Sequence, residues 1–225
     1  WCMYKEDFLS IGGHDELFAP QSKEDSDLFN RFVLNGYSVI QSWDALVYHF
    51  TSRGSRFNKH SGGAAGKNSD EWIQTTTKNG RNFLRKWGHY CKHDSLMKPI
   101  IPPKYNIGID VKNCNSNLLQ ALEPWCDNIL IDDEMQIIVR DYLDNEQKNT
   151  KFNLSKRILT RPHGVLENDI IITVDGNSFG QQDFQLIQNI AEIIKDSGEI
   201  GEFQLGNLNI KINKMVEYQN DLIKL

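Results

Sequence analysis

Pro99-Ile100-Ile101-Pro102-Pro103 constrains this chain more than any other five residues. Proline locks φ and offers no backbone N–H, so three prolines in five positions cannot lie inside a helix or a central strand. The run marks a domain boundary. Ahead of it, Asn68 or Ser69 followed by Asp70 and Glu71 caps a long helix expected to run to about His93. The chain then divides into 1–67, a basic-aromatic helix with its linker over 68–103, and 104–225.

The last part reads as a compact α+β domain with helices on one face of a few strands. Tyr105 to Val111, Asn128 to Ile131 and Ile170 to Val174 carry strand signals, the last through a continuous β-branched run. Asn117 to Trp125, Asp133 to Glu146 and Gln182 to Lys195 read as helices, and Phe152 to Leu159 is ambiguous. Gly206-Asn207 sits between two alternating runs and signals a two-residue hairpin. Asp110, Asp132, Asp133 and Asp175 lie near strand ends, as turn and cap residues do.

The first part is dominated by acids. Lys5 to Ser10 reads as a short helix stopped by Gly12 and Gly13. Glu24, Asp25 and Asp27 stand where a second helix begins, because Leu28, Phe29, Phe32 and Val33 start a stripe with helical spacing. The helix dipole favours anions there, so capping accounts for one or two of them. Arg31 is placed to form a salt bridge back to Asp27. Gly36 ends the helix, and Tyr37 to Gln41 and Ala45 to Phe50 read as strands. Arg53 and Arg56 put two guanidiniums beside His49, and their planar forks match phosphate oxygens.

The ordered series Gly12-Gly13-His14-Asp15-Glu16, Glu24-Asp25-Ser26-Asp27-Leu28, Arg31, Gly36-Tyr37 and Val47-Tyr48-His49 resembles the second half of a family 2 glycosyltransferase with the GT-A fold. The resemblance covers Trp1 to Arg56. It implies an α/β chain: a partial GT-A-like mixed sheet with helices, followed by the small α+β domain. It implies transfer of a sugar, with inversion, from a nucleotide diphosphate sugar to an acceptor hydroxyl of a glycan or lipid-linked acceptor. Asp25, with Glu24 beside it, is then the catalytic carboxylate, and Asp15 and Glu16 line the acceptor pocket. Arg53 and Arg56 meet the donor, and His49 binds Mn²⁺ or Mg²⁺. The family's Asp-x-Asp metal motif lies upstream of the matched region, and Asp25-Ser26-Asp27 does not take its place.

Composition sets the remaining limits. A net charge of −5 gives no overall pull toward nucleic acid. Residues 51–98 nevertheless hold ten Lys and Arg against Asp70, Glu71 and Asp94. In the helix, Trp72, Thr76, Phe83, Trp87 and Tyr90 recur at near-helical spacing, with Arg81, Arg85, Lys86 and Lys92 between them. Such a helix packs on its domain with the charges as its wet face; the alternative is a membrane surface. Cys2, Cys91, Cys114 and Cys126 have neither paired nor metal-binding spacing, which indicates free thiols in a reduced compartment. His89 and His93 share a helical face, but no further ligand pair makes a zinc site. With no apolar run long enough for a bilayer, the expected location is cytoplasmic, with peripheral membrane association left open. A start at Trp1 and entry midway into the family pattern suggest a piece of a longer protein. Residues 104–225 are expected to serve oligomerisation or acceptor recognition. The competing reading is a non-catalytic interaction or carbohydrate-binding module.

Overall fold

The computed structural model describes residues 1–48 and 55–224. The fold is α/β, and it divides into two units. The first comprises Trp1–Arg81, Cys91–Ile100 and the residues from Ile223; the second comprises Asn82–Tyr90 and Ile101–Leu222. The segment 68–103 is therefore shared between the units, and the division falls inside its helix.

In the first unit, helix α1 (Lys5–Ser10) leads into a left-handed pair, Gly12 and Gly13, with φ of 88° and 71°. At Gly13 a β-carbon would also stand 3.1 Å from the Phe8 ring. A 3₁₀ turn (Glu16–Phe18) and helix α2 (Glu24–Leu34) follow. Leu28 and Phe32 project from α2 onto Ile11, with Met3, Phe8, Tyr37 and Ile223 around them. Leu28 and Ile11 are fully buried, and burying such a side chain contributes about 1.5–3 kcal/mol.

The two strands expected in this unit are not formed: no described residue from Tyr37 to Tyr48 lies in a strand. Ile40, Leu46 and Val47 are 85%, 86% and 89% exposed. Alternating β-formers fit a pleated surface only when a neighbouring strand supplies the ladder, and these residues pair with none.

Helix α3 (Asp70–Trp87) stops at Gly88, whose φ is 76°, earlier than expected. Strands β1 (Lys92–His93) and β2 (Pro99–Ile100) then form a small antiparallel sheet in the first unit.

The second unit is built on a six-stranded mixed sheet. Its elements in order are β3 (Ile107–Lys112), α4 (Ser116–Leu122), β4 (Asn128–Ile131), α5 (Gln136–Glu146), α6 (Leu154–Arg157), β5 (Ile158–Thr160), β6 (Ile170–Asp175), α7 (Gln181–Gln188), α8 (Ile190–Ser197), β7 (Gly201–Leu205) and β8 (Leu208–Ile212). The strand order is β5-β4-β3-β6-β8-β7. The first four run parallel, and the terminal hairpin adds antiparallel to β6. The register Ile109 opposite Ile172, with Ile172 opposite Ile210, lines isoleucines across one face. Leu118, Leu119 and Leu122 of α4, and Ile187, Ile190 and Ile194 of α7 and α8, pack on that face. Asp110, Thr173, Asn209 and Lys211 alternate onto the other.

The end of α3 corrects the wet-face expectation for Arg85 and Lys86, which are 2% and 7% exposed. Arg85 donates through Nη2 to Glu123 at 2.6 Å and to Glu146 at 2.6 Å. Arg157 reaches the same Glu123 through Nε at 3.0 Å, and the Tyr142 hydroxyl donates to it at 2.7 Å. Burial alone would raise the Glu123 pKa; hydrogen bonds from Arg85 and the two guanidinium charges outweigh it and hold the carboxyl below its ordinary range.

Candidate functional site

Helix α2 sorts its acids by direction. Asp27 and Arg31 lie four residues apart on the inward face, both fully buried, with Nε 2.8 Å from Oδ2. The salt bridge expected from spacing is present and does more than pair charges. Arg31 also donates through Nη1 to the Ile11 carbonyl at 2.6 Å and through Nη2 to the Gly13 carbonyl at 2.5 Å. One guanidinium thus ties the glycine loop to the acidic helix, which uses the whole planar fork.

Asp25, one turn position away, is exposed. Its Oδ1 accepts the Ser26 N–H at 2.7 Å and lies 3.5 Å from the Ser26 hydroxyl. That bond lies within the first turn of α2 and fixes the carboxylate, while Oδ2 has no partner among the described residues. Glu24 begins the helix, and its Oε2 is a buried oxygen without a hydrogen-bond partner among the described residues. The backbone entering α2 is strained: Ser22 and Lys23 have φ of 79° and 78°. Such conformations cost on the order of 1 kcal/mol each in non-glycine residues. Side chains of α3 hold them in place. Asn79 Nδ2 donates to the Phe18 and Gln21 carbonyls, each at 2.7 Å, and Lys78 Nζ to the Ala19 carbonyl at 2.9 Å.

Asp25 lines a cleft of about 170 Å³. Ser26, Phe29 and Asn30 of α2 form one wall, and Cys91, Lys92, His93, Met97 and Pro99 the other. The Cys91 thiol donates to the Ser26 hydroxyl at 3.3 Å. His93 uses Nδ1 against the Asp94 carbonyl at 3.1 Å. A carboxylate held at the edge of such a cleft can take a proton from a hydroxyl bound there, given hydrogen-bond reach.

The other expected site residues are more scattered. Asp15 accepts the Leu17 N–H at 2.9 Å and caps the 3₁₀ turn, while Glu16 is exposed in that turn. Arg56 donates to Asn68 at 2.8 Å and lies over the Trp72 ring, 4.8 Å from its centroid. His49 and Arg53 lie outside the described residues. Among the described residues, which do not include His49, no group of three or more His, Cys, Asp or Glu could hold a metal ion. All four cysteines are free, as their spacing indicates. Among the described residues no helix is long and apolar enough to cross a membrane.

Comparison of the chain with protein-family profiles, curated proteins and solved structures finds no match.

Asn30 and the Cys91–His93 wall were not legible as cleft residues. Asn30 carried one signal: asparagine is a poor helix former, and it stands four residues after Ser26 on the same helical face. The second wall lies more than sixty residues downstream, and nothing local in the sequence points to it.

Proposed function

We propose that this chain carries the acceptor side of an inverting glycosyltransferase that uses a nucleotide diphosphate sugar. The acceptor is a glycan or a lipid-linked sugar. The supporting observation is the partition of acids within α2: Asp27 is consumed by Arg31, while Asp25 is held at one oxygen and displays the other at a cleft. In the reaction the acceptor oxygen attacks the anomeric carbon and forms the new glycosidic bond. Its proton passes to the Asp25 carboxylate. The bond from the anomeric carbon to the diphosphate breaks, and the nucleoside diphosphate leaves with that electron pair. Glu24 adjoins the base, Asp15 and Glu16 belong to the acceptor side, and Arg53 and Arg56 to the donor side. Mn²⁺ or Mg²⁺, with His49 as its ligand in this chain, belongs to the proposal, and the steps above use none.

Asp25→Asn tests the base. The amide oxygen still accepts the Ser26 N–H, so melting temperature is expected to hold while turnover falls about 10²- to 10⁴-fold. A folded variant with parental turnover removes Asp25 from the mechanism.

A second reading, a carbohydrate-binding module without catalysis, is favoured by one observation. Trp1 is 69% exposed and packs edge-on to Phe29, with ring centroids 6.3 Å apart. An exposed indole beside the cleft suits stacking on a sugar face. Binding of glycan without binding of any nucleotide diphosphate selects this reading.

A further inference from the structure

The β5–β6 connection in the second unit roofs a cavity that the reaction above does not use. β5 and β6 run parallel with β4 and β3 between them, and such a connection usually carries a helix. Here residues 161–169 cross without one. They cross the sheet face turned away from the core helices, where Leu130 and Ile171 alternate with the core residues Ile129, Ile131, Ile170 and Ile172. Between that face and the connection lies a cavity of about 450 Å³, within the range of small-molecule sites, about 300–1,000 Å³.

Both ends of the roof are fixed. At its start the Arg161 N–H donates to the Ile131 carbonyl at 3.0 Å and the Gly164 N–H to the Thr160 carbonyl at 2.8 Å. At its end Asn168 and Asp169 are buried. Asn168 Nδ2 donates to Asn128 at 3.1 Å, and Asp169 accepts the Tyr218 hydroxyl at 2.6 Å. Val165, midway, is 71% exposed and marks the mouth. A cavity held open in this way asks little reorganisation of the protein when a ligand enters.

The walls specify the occupant. Leu130 and Ile171 form the floor, and Pro162, Val165 and Leu166 the roof, so a ligand's body meets aliphatic surface on both sides. The polar end is Asp110 with Arg161. It lies toward the carboxyl ends of the parallel strands, where open α/β sheets bind ligands. Arg161 is already engaged: it donates to Asp110, to Asp132 at 2.5 Å and to the Val111 carbonyl at 3.4 Å. An anion would have to displace a carboxylate to reach it. Asp110 and Asp132 together outweigh the one guanidinium by a single negative charge. Lys112, the next residue on that face of β3, stands in register with Asp175 and is offset by it. A carboxylate accepts more than one donor, so Asp110 can hold Arg161 and a ligand together.

We propose that this cavity binds a small organic cation, an amine whose apolar body lies between floor and roof and whose ammonium group donates to Asp110. The site lies wholly within the second unit and does not rest on the transferase reading, so either can fail alone.

The test uses the full 225-residue chain with hexylamine and phenethylamine as probes. Hexanol and phenethyl alcohol serve as neutral counterparts, hexanoate and phenylpropionate as anionic ones. Binding is read from the methyl resonances of Leu130, Val165, Leu166 and Ile171. At least one amine is expected to saturate and move these methyls, about tenfold tighter than its alcohol through one charge-assisted hydrogen bond. The carboxylates are expected to bind more weakly than the alcohols. Asp110→Asn is expected to bring amine and alcohol to about the same affinity. Should that variant fail to fold, Val165→Trp at an exposed position keeps the test decisive. Its indole fills the mouth and is expected to weaken the amine about tenfold. Methyls unmoved by both amines overturn the proposal. So do alcohols or carboxylates that bind as tightly as the amines, a folded Asp110→Asn variant that keeps the amine preference, or amine binding indifferent to Val165→Trp.

Discussion

Replacing Glu123 with glutamine is expected to lower the stability of the second unit by about 3–5 kcal/mol, the cost of breaking a buried pair from one side. Glu123 is fully buried and receives Arg85, Arg157 and the Tyr142 hydroxyl. Glutamine keeps the volume and loses the charge, so two guanidiniums face a neutral amide. Glu146 retains its own contact with Arg85 at 2.6 Å and softens the loss. In a unit of this size the shift in melting temperature is roughly 10 °C or more, measurable by calorimetry.

The same carboxylate sets a pH dependence. Its folded pKa lies below the ordinary value of 4.5, so on acidification the unfolded chain takes up the proton first. Its stabilisation is complete above the ordinary value and is lost as pH falls through the folded one. The parent therefore loses stability steeply below about pH 4.5, and Glu123→Gln shows a shallower acid limb. An unchanged acid limb in the variant would assign the acid sensitivity to other carboxylates.

Arg31→Met is the second large effect. It takes the guanidinium from buried Asp27 and releases the Ile11 and Gly13 carbonyls together. About 3–5 kcal/mol is again expected, because a buried carboxylate loses its counter-charge. Arg31→Lys should recover little, since one ammonium cannot reproduce a three-way planar grip. The double variant Asp27→Leu with Arg31→Met should be more stable than Arg31→Met alone, because no buried charge remains. It should still loosen the glycine loop, seen as faster amide exchange at Gly12 and Gly13. A lysine variant as stable as the parent would show that the charge alone matters.

The two units were legible to different degrees, for physical reasons. In the second, strands β3, β4, β6 and β8 are buried on one face or both, and the Ile-rich runs at 107–111, 128–131 and 170–174 announce themselves. The hairpin turn at Gly206-Asn207 does likewise, with φ of 61° at Gly206. One helix expected from Gln182 to Lys195 is two, α7 and α8, interrupted at Asn189.

In the first unit the short-range items were readable: the Gly12-Gly13 stop, the acidic start of α2 and the Asp27–Arg31 bridge all act within a few residues. Long-range partners were not. Arg85 looked like a wet-face residue because its glutamates stand 38 and 61 positions away. The run from Tyr37 to Tyr48 looked like two strands because periodicity reports the fitness of a side-chain pattern and cannot report whether a ladder partner exists. The Asp25 cleft repeats the lesson: one wall belongs to a helix read from sequence, and the other comes from a hairpin whose first strand falls where the spacing places the end of the long helix.

The claim that this chain serves sugar transfer from a nucleotide donor is tested most directly by calorimetric titration of the folded chain with UDP, GDP and TDP, with Mn²⁺ and with chelator. The account predicts saturable binding of at least one diphosphate with Mn²⁺, abolished by chelator and by His49→Ala. Absence of binding to all three, or binding that ignores both the metal and His49, would contradict it.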